Sequence, residues 1–223
     1  KEGIEFRDVS FAYERQKNGH SALEGINFTL PVGRSVGLVG RVGSGKSTLA
    51  QLVPRMFDVS TGAILVDGQD TRKLALRELR RLIGYVPQEP FLFSTSLKAN
   101  LALGRESYSA EELARAVEIA KLDRDVEIFP LGLETLVGER GVTLSGGQKQ
   151  RATLARALIM DPPVLILDDC LSSVDAQTEA EILHGLRAIL KEKTCLIISH
   201  RISAVREADE ILVLDEGKII ERG

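Results

Sequence analysis

The chain has few cysteines, few aromatic residues and no long apolar run. Among its 223 residues are two cysteines, Cys170 and Cys195, no tryptophan, and 4% aromatic residues. The cysteines are far apart and form no CxxC or Cys/His cluster, so we expect both to pack in the core. No apolar run approaches the roughly 18 residues of a membrane span, and the first residues have no signal-peptide character, so we expect a cytosolic chain.

The chain also lacks a large excess of positive or negative charge. The formal net charge is −3, and basic and acidic residues are interspersed along the chain. This pattern predicts neither a nucleic-acid footprint nor a basic membrane-binding surface. A hydrophobic content of 43% in 223 residues is enough for one large folded domain.

The predicted elements change character along the chain. Short strands with turns are expected over 4–7, 26–30, 35–39 and 63–66, the last leading into a turn at Asp67 and Gly68. A helical, charge-rich middle follows, with a capping box at Ser109 and Glu112 and a second helix over 148–160. Beyond it we expect strands over 164–167, 195–198 and 211–214, separated by helices over 177–190 and near residue 204. This alternation predicts βαβ crossovers and a largely parallel sheet that is buried on both faces.

A glycine-rich segment follows the predicted strand over 35–39. After Lys46 the sequence pattern becomes helical through Leu52, so the segment lies between a strand and a helix. Residues 40–48 read GRVGSGKST and match the pattern G-x-x-x-x-G-K-[ST]. Glycines let backbone N–H groups turn toward phosphates, the lysine reaches the β and γ phosphates, and the serine hydroxyl can ligate Mg²⁺. An ordinary glycine-rich turn would not need lysine and serine at these offsets. The predicted nucleotide-binding residues of this loop are Gly40, Gly43, Ser44, Gly45, Lys46, Ser47 and Thr48.

A buried strand ends on two adjacent carboxylates. The run VLILDDC, residues 164–170, places Asp168 and Asp169 directly after apolar residues. Two like charges raise each other's pKa unless a cation lies nearby. With the phosphate loop upstream, we expect Asp168 to lie at the Mg²⁺ of a bound nucleotide. The alternative is a strand that runs into an Asp-capped turn.

A Gly-Gly pair enters the second predicted helix. Residues 144–151 read LSGGQKQR, which makes Ser145, Gly146, Gly147 and Gln148 a second phosphate-binding candidate. Ser145 and Gln148 also satisfy the capping-box pattern, so taken alone the segment fits a purely structural role equally well.

The order of phosphate loop, LSGGQ, aspartate strand and histidine resembles the nucleotide-binding domain of an ABC transporter, over essentially the whole chain. The resemblance implies an α/β fold with a P-loop NTPase (RecA-like) core, a mainly parallel sheet, an N-terminal antiparallel β subdomain and a helical subdomain. Within one domain spanning 1–223, residues 1–88 and 161–223 would form the ATP-binding core with the β subdomain, and 89–160 the helical signature subdomain. The implied cofactors are ATP and Mg²⁺.

The resemblance also assigns roles to single residues. Tyr13 would stack on adenine, although a core position on a strand face is the alternative. Gln88 would contact Mg²⁺ and water, with Ser47 and Asp168 completing the metal site. His200 would contact the γ phosphate, whereas a lone histidine is more often a capping or packing residue, which is how we interpret His20 and His184.

Partners follow from the same resemblance. In the family two such domains stack head to tail, so each ATP lies between one phosphate loop and the partner's LSGGQ. The segment 172–175 would reach the other subunit, while TLVGERG at 135–141 and FLFSTSLKAN at 91–100 are similar to segments of exporters. The expected partners are therefore a second nucleotide-binding domain and transmembrane domains, with no nucleic acid, at the cytoplasmic face of the cell membrane.

The chain departs from the family at the general base. A glutamate directly after the metal-site aspartate is replaced by Asp169, which withdraws the carboxylate by about 1.5 Å. A misplacement of about 1 Å can lower a rate on the order of a hundredfold. We therefore expect ATP binding with weak hydrolysis at this site, where Asp169, His200 and Gln88 form the catalytic set. This resembles the degenerate subunit of a heterodimeric exporter, whose non-identical partner carries the glutamate.

Three alternatives stay open. In a fully active homodimeric transporter ATPase, Asp169 would still work as the base. ATPases of DNA repair or chromosome structure share the motifs but need a long coiled-coil insertion, which this sequence lacks. Soluble ABC proteins acting on ribosomes or in iron-sulfur assembly usually lack the TLVGERG loop. The transported substrate is not encoded in this segment.

Overall fold

The computed structural model describes residues 3–13, 21–105, 107–138 and 141–223. The chain divides into two compact units, the first comprising Lys1–Tyr85, Pro163–Asp168 and Leu190–Gly223, and the second Val86–Pro162 and Asp169–Ile189. The prediction had placed 161–223 with the ATP-binding core, whereas the compact units group 169–189 with the helical segment. The functional bounds of the subdomains stay a prediction.

The elements are numbered in chain order. The strands are β1 (Ile4–Phe11), β2 (Leu23–Leu30), β3 (Ser35–Val39), β4 (Thr61–Val66), β5 (Gln69–Asp70), β6 (Ile83–Val86), β7 (Val164–Asp168), β8 (Thr194–Ile198), β9 (Glu210–Asp215) and β10 (Lys218–Arg222). The helices are α1 (Lys46–Leu52), α2 (Leu76–Arg81), α3 (Leu97–Leu101), α4 (Ala110–Ile119), α5 (Asp123–Ile128), α6 (Gly146–Ile159), α7 (Ala176–Glu192) and α8 (Ile202–Val205). Short 3₁₀ turns lie at Thr71–Lys73 and Gly132–Glu134.

An antiparallel sheet forms the first part of the first unit. Its strand order is β2-β1-β4-β5, and β1 buries alternate apolar side chains as a half-buried strand should. Asp67 and Gly68 connect β4 to β5 with positive φ angles of 48° and 79°, as a two-residue hairpin of the Asp-Gly type requires. The predicted hairpin is confirmed.

A second sheet has the strand order β10-β9-β3-β8-β7-β6. Strand β3 pairs in parallel with β8 and β9, and β8 pairs in parallel with β7. Every residue of β7 and β8 is buried, and α1 packs against both strands while α8 packs against β3 and β8. The predicted α/β class, with an antiparallel sheet near the start of the chain and a mainly parallel sheet, is confirmed.

Helix α6 is the centre of the second unit, where α3 and α4 pack against it. The apolar face predicted for α4, which includes Leu113, Ala116 and Val117, is buried. The capping box at Ser109 and Glu112 is present as predicted, because each side chain accepts a backbone N–H of the other residue. The helix therefore begins where its sequence places the first hydrogen-bond acceptor.

A buried asparagine organises the segment before α3. Asn100 accepts the backbone N–H of Phe93 at 2.8 Å and donates to the Phe93 carbonyl at 2.9 Å. Arg156 on α6 donates to the Asn100 carbonyl at 2.8 Å and to the Phe91 carbonyl at 3.1 Å. The Phe91 and Phe93 rings contact each other edge to face with centroids 4.9 Å apart, yet they stay 63% and 48% exposed.

The two cysteines pack in the interior as predicted, since both are buried and neither forms a disulfide. Burial raises the pKa of the Cys195 thiol to about 12, which keeps it protonated and unreactive at neutral pH. Across the described part of the chain, no helix has both the length and the apolar character needed to cross a membrane.

Candidate functional site

The glycine-rich loop joins β3 to α1 in the first unit. Gly40 and Gly45 have φ angles of 152° and 102°, in the region that favours glycine. A Cβ at Gly40 would lie 2.1 Å from the Leu214 carbonyl oxygen, and one at Gly45 would lie 2.6 Å from the Ala22 carbonyl oxygen. Both glycines are therefore required for the loop to pass this close to neighbouring backbone.

Lys46 points back into this loop. Its side chain is only 5% exposed, and Nζ donates to the carbonyl oxygens of Gly40 at 2.8 Å and Arg41 at 2.7 Å and to Ser44 Oγ at 3.4 Å. All three acceptors are uncharged. The loop thus holds a buried ammonium group, whose positive charge favours an incoming anion.

Helix α1 starts at this lysine without help from a side chain. Its N-cap residue, Gly45, is left-handed and makes no side-chain capping hydrogen bond. The first N–H groups of a helix have no acceptor within the helix, and they carry partial positive charge. The N-terminus of α1 and the buried Lys46 therefore both favour negative charge at the loop.

Asp168 ends β7 and is 1% exposed. Ser47 Oγ donates to Asp168 Oδ1 at 2.9 Å, and the Tyr85 hydroxyl donates to Asp168 Oδ2 at 2.9 Å. Burial, and to a smaller extent the charge of Asp168, raises the pKa of Tyr85, so the phenol stays a neutral donor. The sequence had paired Asp168 with a metal site but had missed Tyr85, because nothing in IGYV distinguishes that residue from a core tyrosine.

The Ser47 and Asp168 pair fits a magnesium site that a nucleotide completes. Over residues 3–13, 21–105, 107–138 and 141–223, no group of three or more His, Cys, Asp or Glu side chains could hold a metal alone. Mg²⁺ usually takes one or two carboxylates, with waters and substrate phosphates as its other ligands. One buried carboxylate beside a serine hydroxyl is a donor set of that kind.

Three features converge at one edge of the parallel sheet. Leu38 of β3 and Asp168 of β7 both pair with Ile198 of β8, so the carboxyl ends of the three strands are level. The phosphate loop follows β3, and exposed His200 follows β8 after Ser199. Ligands of open α/β sheets bind at the carboxyl ends of the strands, and His200 lies on that side.

Tyr13 lies near the start of α1. Its hydroxyl is 2.9 Å from Thr48 Oγ1, and its ring meets Phe11 and Phe57 edge to face at centroid distances of 4.8 Å and 5.4 Å. The side chain is partly buried against the core. It therefore has a packing role in this structure, and the adenine-stacking role stays a prediction.

In the second unit, the LSGGQ segment at residues 144–148, called the signature segment below, caps the start of helix α6 with its own side chains. Ser145 Oγ accepts the Gln148 N–H at 3.2 Å, and Gln148 Oε1 accepts the Ser145 N–H at 2.8 Å. The capping box that the sequence allowed is thus present. A capping serine still has its hydroxyl proton to donate, so this structural role does not compete with a phosphate-binding one.

The cap is braced by a residue that the sequence did not single out. Asp125 Oδ1 accepts from Gln148 Nε2 at 2.7 Å, and Asp125 Oδ2 accepts from Arg151 Nη1 at 2.6 Å. Asp125 is one of several acidic residues in KLDRDVEI, so only its burial distinguishes it. The amide of Gln148, the last residue of LSGGQ, is therefore held through both its oxygen and its nitrogen.

Gln88 and Asp169 come together in the second unit. Gln88 Nε2 lies 3.4 Å from Asp169 Oδ2. Asp169 is 8% exposed and has a left-handed φ of 44°, a conformation that aspartate tolerates better than most residues. Asp168 accepts hydrogen bonds from two hydroxyl groups, those of Ser47 and Tyr85.

A buried glutamine connects three segments near this pair. Gln150 Nε2 donates to the Gln88 carbonyl at 3.2 Å and to Ser172 Oγ at 2.9 Å, while Gln150 Oε1 accepts the Ser173 N–H at 2.8 Å. Gln150 lies two residues after LSGGQ, and this proximity is the only sign of its role in the sequence. It fixes the first two residues of the 172–175 loop.

Two of the predicted histidines and the TLVGERG segment add little to the description of the site. His184 is an exposed residue of α7. His20 and two residues of TLVGERG, Glu139 and Arg140, lie outside the described residues. At Gly141, a Cβ would lie 2.1 Å from the Leu136 carbonyl oxygen, so the end of that segment requires a glycine.

Comparison with known proteins gives one consistent result. A family model described as "ABC transporter" matches residues 23–172. The ATP-dependent lipid A-core flippase of Pectobacterium atrosepticum is 47% identical over 221 residues, which cover 99% of this chain and 38% of the flippase. ABC transporter B family member 6 of Dictyostelium discoideum is 44% identical over 225 residues, which cover 99% of this chain and 33% of that protein.

The fold gives the same result. A solved structure of a bacterial Atm1-family ABC exporter with ATP bound aligns with a TM-score of 0.93 and 39% identity, covering 100% of this chain and 39% of the exporter chain. The chain thus spans less than two fifths of the length of the relatives it matches. With the family model matching more than half of its residues, the chain belongs to the ABC transporter family, as a nucleotide-binding domain of the exporter type.

Proposed function

We propose that this chain binds ATP with Mg²⁺ at the phosphate loop and works as the ATP-binding domain of an exporter, at the cytoplasmic face of the cell membrane. The observation that carries the proposal is the buried Lys46 ammonium inside the glycine loop, with the Ser47 and Asp168 pair in the same unit. A triphosphate at this loop would lie against that buried positive charge and accept charge-assisted hydrogen bonds from it.

Different residues would bind the phosphates, the Mg²⁺ ion and the adenine of ATP. Lys46 would release its carbonyl acceptors and donate to the β and γ phosphates, while N–H groups of the loop, at Gly43, Gly45 and the start of α1, would hold the remaining phosphate oxygens. Ser47, Asp168 and Gln88 would hold Mg²⁺, which neutralises phosphate charge when bound. Tyr13 would stack on adenine and His200 would donate to the γ phosphate.

The signature segment would act on a second nucleotide. We propose a head-to-tail pair of such domains, in which Ser145, Gly146, Gly147 and Gln148 contact the ATP held by the other phosphate loop. Support comes from the capping box of α6, which orders these residues without any ligand. The remaining length of the relatives, more than 60% of the flippase by coverage, leaves room for the transmembrane domains that such a pair would drive.

Hydrolysis at this chain's own site is proposed to be slow. Asp169 stands where the family's general base is a glutamate, so its carboxylate lies about one C–C bond, or 1.5 Å, short. Asp169 is buried, and its carboxylate lies beside the Gln88 amide. We therefore propose a heterodimeric exporter, whose second, non-identical subunit carries the glutamate and performs most of the hydrolysis.

The test is to restore the missing methylene. In the assembled exporter, with the partner's base disabled, single-turnover hydrolysis is measured for wild type, Asp169→Glu and Asp169→Asn. Asp169→Glu should raise turnover by roughly 10- to 100-fold, because it restores the alignment of a general base. ATP affinity should stay the same, since the phosphate contacts are made by other residues.

Asp169→Asn is the matched control and should lower turnover little, because a misplaced base contributes little. The opposite pattern would overturn the degenerate site. If wild type already turns over as fast as Asp169→Glu while Asp169→Asn is far slower, Asp169 is a working base and the fully active homodimer is the better description.

A further inference from the structure

Tyr85 contacts the carboxylate that is proposed to face Mg²⁺, although neither the motifs nor the family match assigns it a role. We infer that Tyr85 is a positioning residue, whose hydroxyl holds the Asp168 carboxylate in the orientation that the Mg²⁺ site requires. The inference rests on the proposed function, because it concerns the same metal site.

The hydrogen bonds at Asp168 divide between its two oxygens. Ser47 Oγ donates to Oδ1 and the Tyr85 hydroxyl donates to Oδ2, each at 2.9 Å. The terminal torsion of an aspartate is broad and roughly two-fold, so one donor alone would leave the carboxylate plane loosely defined. Two donors on different oxygens fix that plane.

The Tyr85 side chain is itself held in place, so its hydroxyl can orient the Asp168 carboxylate. It belongs to β6, which lies beside β7 in the sheet, and its ring packs against the buried core of the first unit. A tyrosine has only two side-chain torsions. Its hydroxyl is therefore placed by strand geometry and core packing.

The two donors are not equivalent once a metal is present. Ser47 is itself a proposed ligand of Mg²⁺, so its oxygen would contact the metal as well as the carboxylate. Tyr85 touches the opposite oxygen and has no contact assigned to nucleotide or metal. Of these two contacts to Asp168, only the one from Tyr85 would then be independent of metal loading.

Magnesium is sensitive to such positioning. It demands near-ideal octahedral geometry, and loss of a residue that orients a metal-binding side chain typically lowers metal affinity or activity about 10- to 100-fold. Tyr85→Phe removes one hydroxyl and leaves the ring in the core. It should therefore weaken the contribution of Mg²⁺ to ATP binding without weakening the contacts of Lys46 and the loop.

The experiment measures the Kd of ATP for the purified chain twice, in excess Mg²⁺ and in EDTA, and takes the ratio of the two values. For wild type we expect tighter binding with Mg²⁺. For Tyr85→Phe we expect an unchanged Kd in EDTA and a ratio reduced by about tenfold. Tyr108→Phe is the matched control, since it removes the same atom from a tyrosine outside the site, and its ratio should equal that of wild type.

A double variant tests whether Tyr85 acts through Asp168. In an Asp168→Ala background the carboxylate is gone, so adding Tyr85→Phe should change the Mg²⁺ ratio no further. A further drop in the double variant would mean that Tyr85 acts by another route and would overturn the inference.

The remaining outcomes separate the inference from the function beneath it. If Tyr85→Phe weakens ATP binding equally with and without Mg²⁺, or lowers only the melting temperature, its role is structural and the inference fails while the ATP site stands. If wild type binds ATP no better with Mg²⁺ than in EDTA, the proposed metal site and the inference both fail.

Discussion

Helices α1 and α6 begin in opposite ways. Helix α1 follows Gly45, a left-handed residue that gives no side-chain cap, and its first residue is the buried Lys46. Helix α6 follows Ser145, and its capping box satisfies two backbone N–H groups within four residues. One helix start is completed by its own side chains, whereas the other has a geometry that an anion would complete.

The two helix starts contribute to different properties of the chain: the start of α6 to stability and the start of α1 to ligand binding. A capped helix end is ordered before any ligand arrives, so the signature segment can present a fixed surface. The glycine loop instead places the positive charge of the buried Lys46 where a phosphate would bind. We therefore expect loss of the Lys46 side chain to change ATP binding and loss of the Ser145 side chain to change stability, whereas a substitution at the left-handed Gly45 changes stability through backbone strain.

The largest effect should come from Lys46→Ala. The variant loses a charge-assisted contact to phosphate, worth about 1.5–3 kcal/mol, which corresponds to an affinity lower by about 10- to 150-fold. Titration of ATP into the chain measures it. Lys149→Ala, which removes a lysine near the start of α6, should leave the affinity at the wild-type value. Equal affinities for Lys46→Ala and wild type would remove the phosphate loop as the binding site.

A pair of glycine substitutions comes next. Gly45→Ala must place an L residue at φ 102° with its Cβ 2.6 Å from a backbone oxygen, so we expect about 2 kcal/mol of destabilisation. For a domain of this size that is a melting temperature lower by about 4–8 °C. Gly146→Ala meets Ser173, with Cβ at 3.4 Å and Oγ at 3.5 Å, and should shift the melting temperature by less than half as much. Similar shifts for both would mean that the left-handed backbone at Gly45 does not distinguish the two helix starts.

The smallest effect should come from Ser145→Ala. Losing the cap should lower stability by about 1 kcal/mol, or about 2–4 °C in melting temperature. The chain's own ATP affinity should not change, because the segment is proposed to contact the partner's nucleotide. Thr143→Ala, an exposed change just outside the box, should shift neither quantity. A loss of ATP affinity in isolated Ser145→Ala would place the signature at its own phosphate loop.

Local patterns carried most of the sequence-based prediction. The hairpin at Asp67 and Gly68 and the capping box of Ser109 and Glu112 depend on residues two to four positions apart, so the sequence fixes their geometry. The parallel sheet followed from the alternation of strands and helices after residue 164. Elements such as β6 and α3, with four and five residues, are too short to show a period and were missed.

Long-range contacts could not be predicted in the same way. Tyr85 and Asp168 are 83 positions apart, and Gln150 and Gln88 are 62 positions apart. The pairing of such residues depends on strand order and helix packing, which the sequence specifies only through the whole fold. The motifs therefore marked candidate ligands of the nucleotide, while the residues that orient those ligands emerged only from the structure.

The hydrogen bonds of Asn100 and Arg156 have a consequence for the entropy of assembly. They tie the backbone of Phe91 and Phe93 to α3 and α6, although the two rings stay largely exposed. Ordering a loop when two proteins associate lowers affinity, and a segment that is already ordered avoids much of that loss. A partner that packs against these rings would meet a segment whose conformational freedom was largely lost during folding.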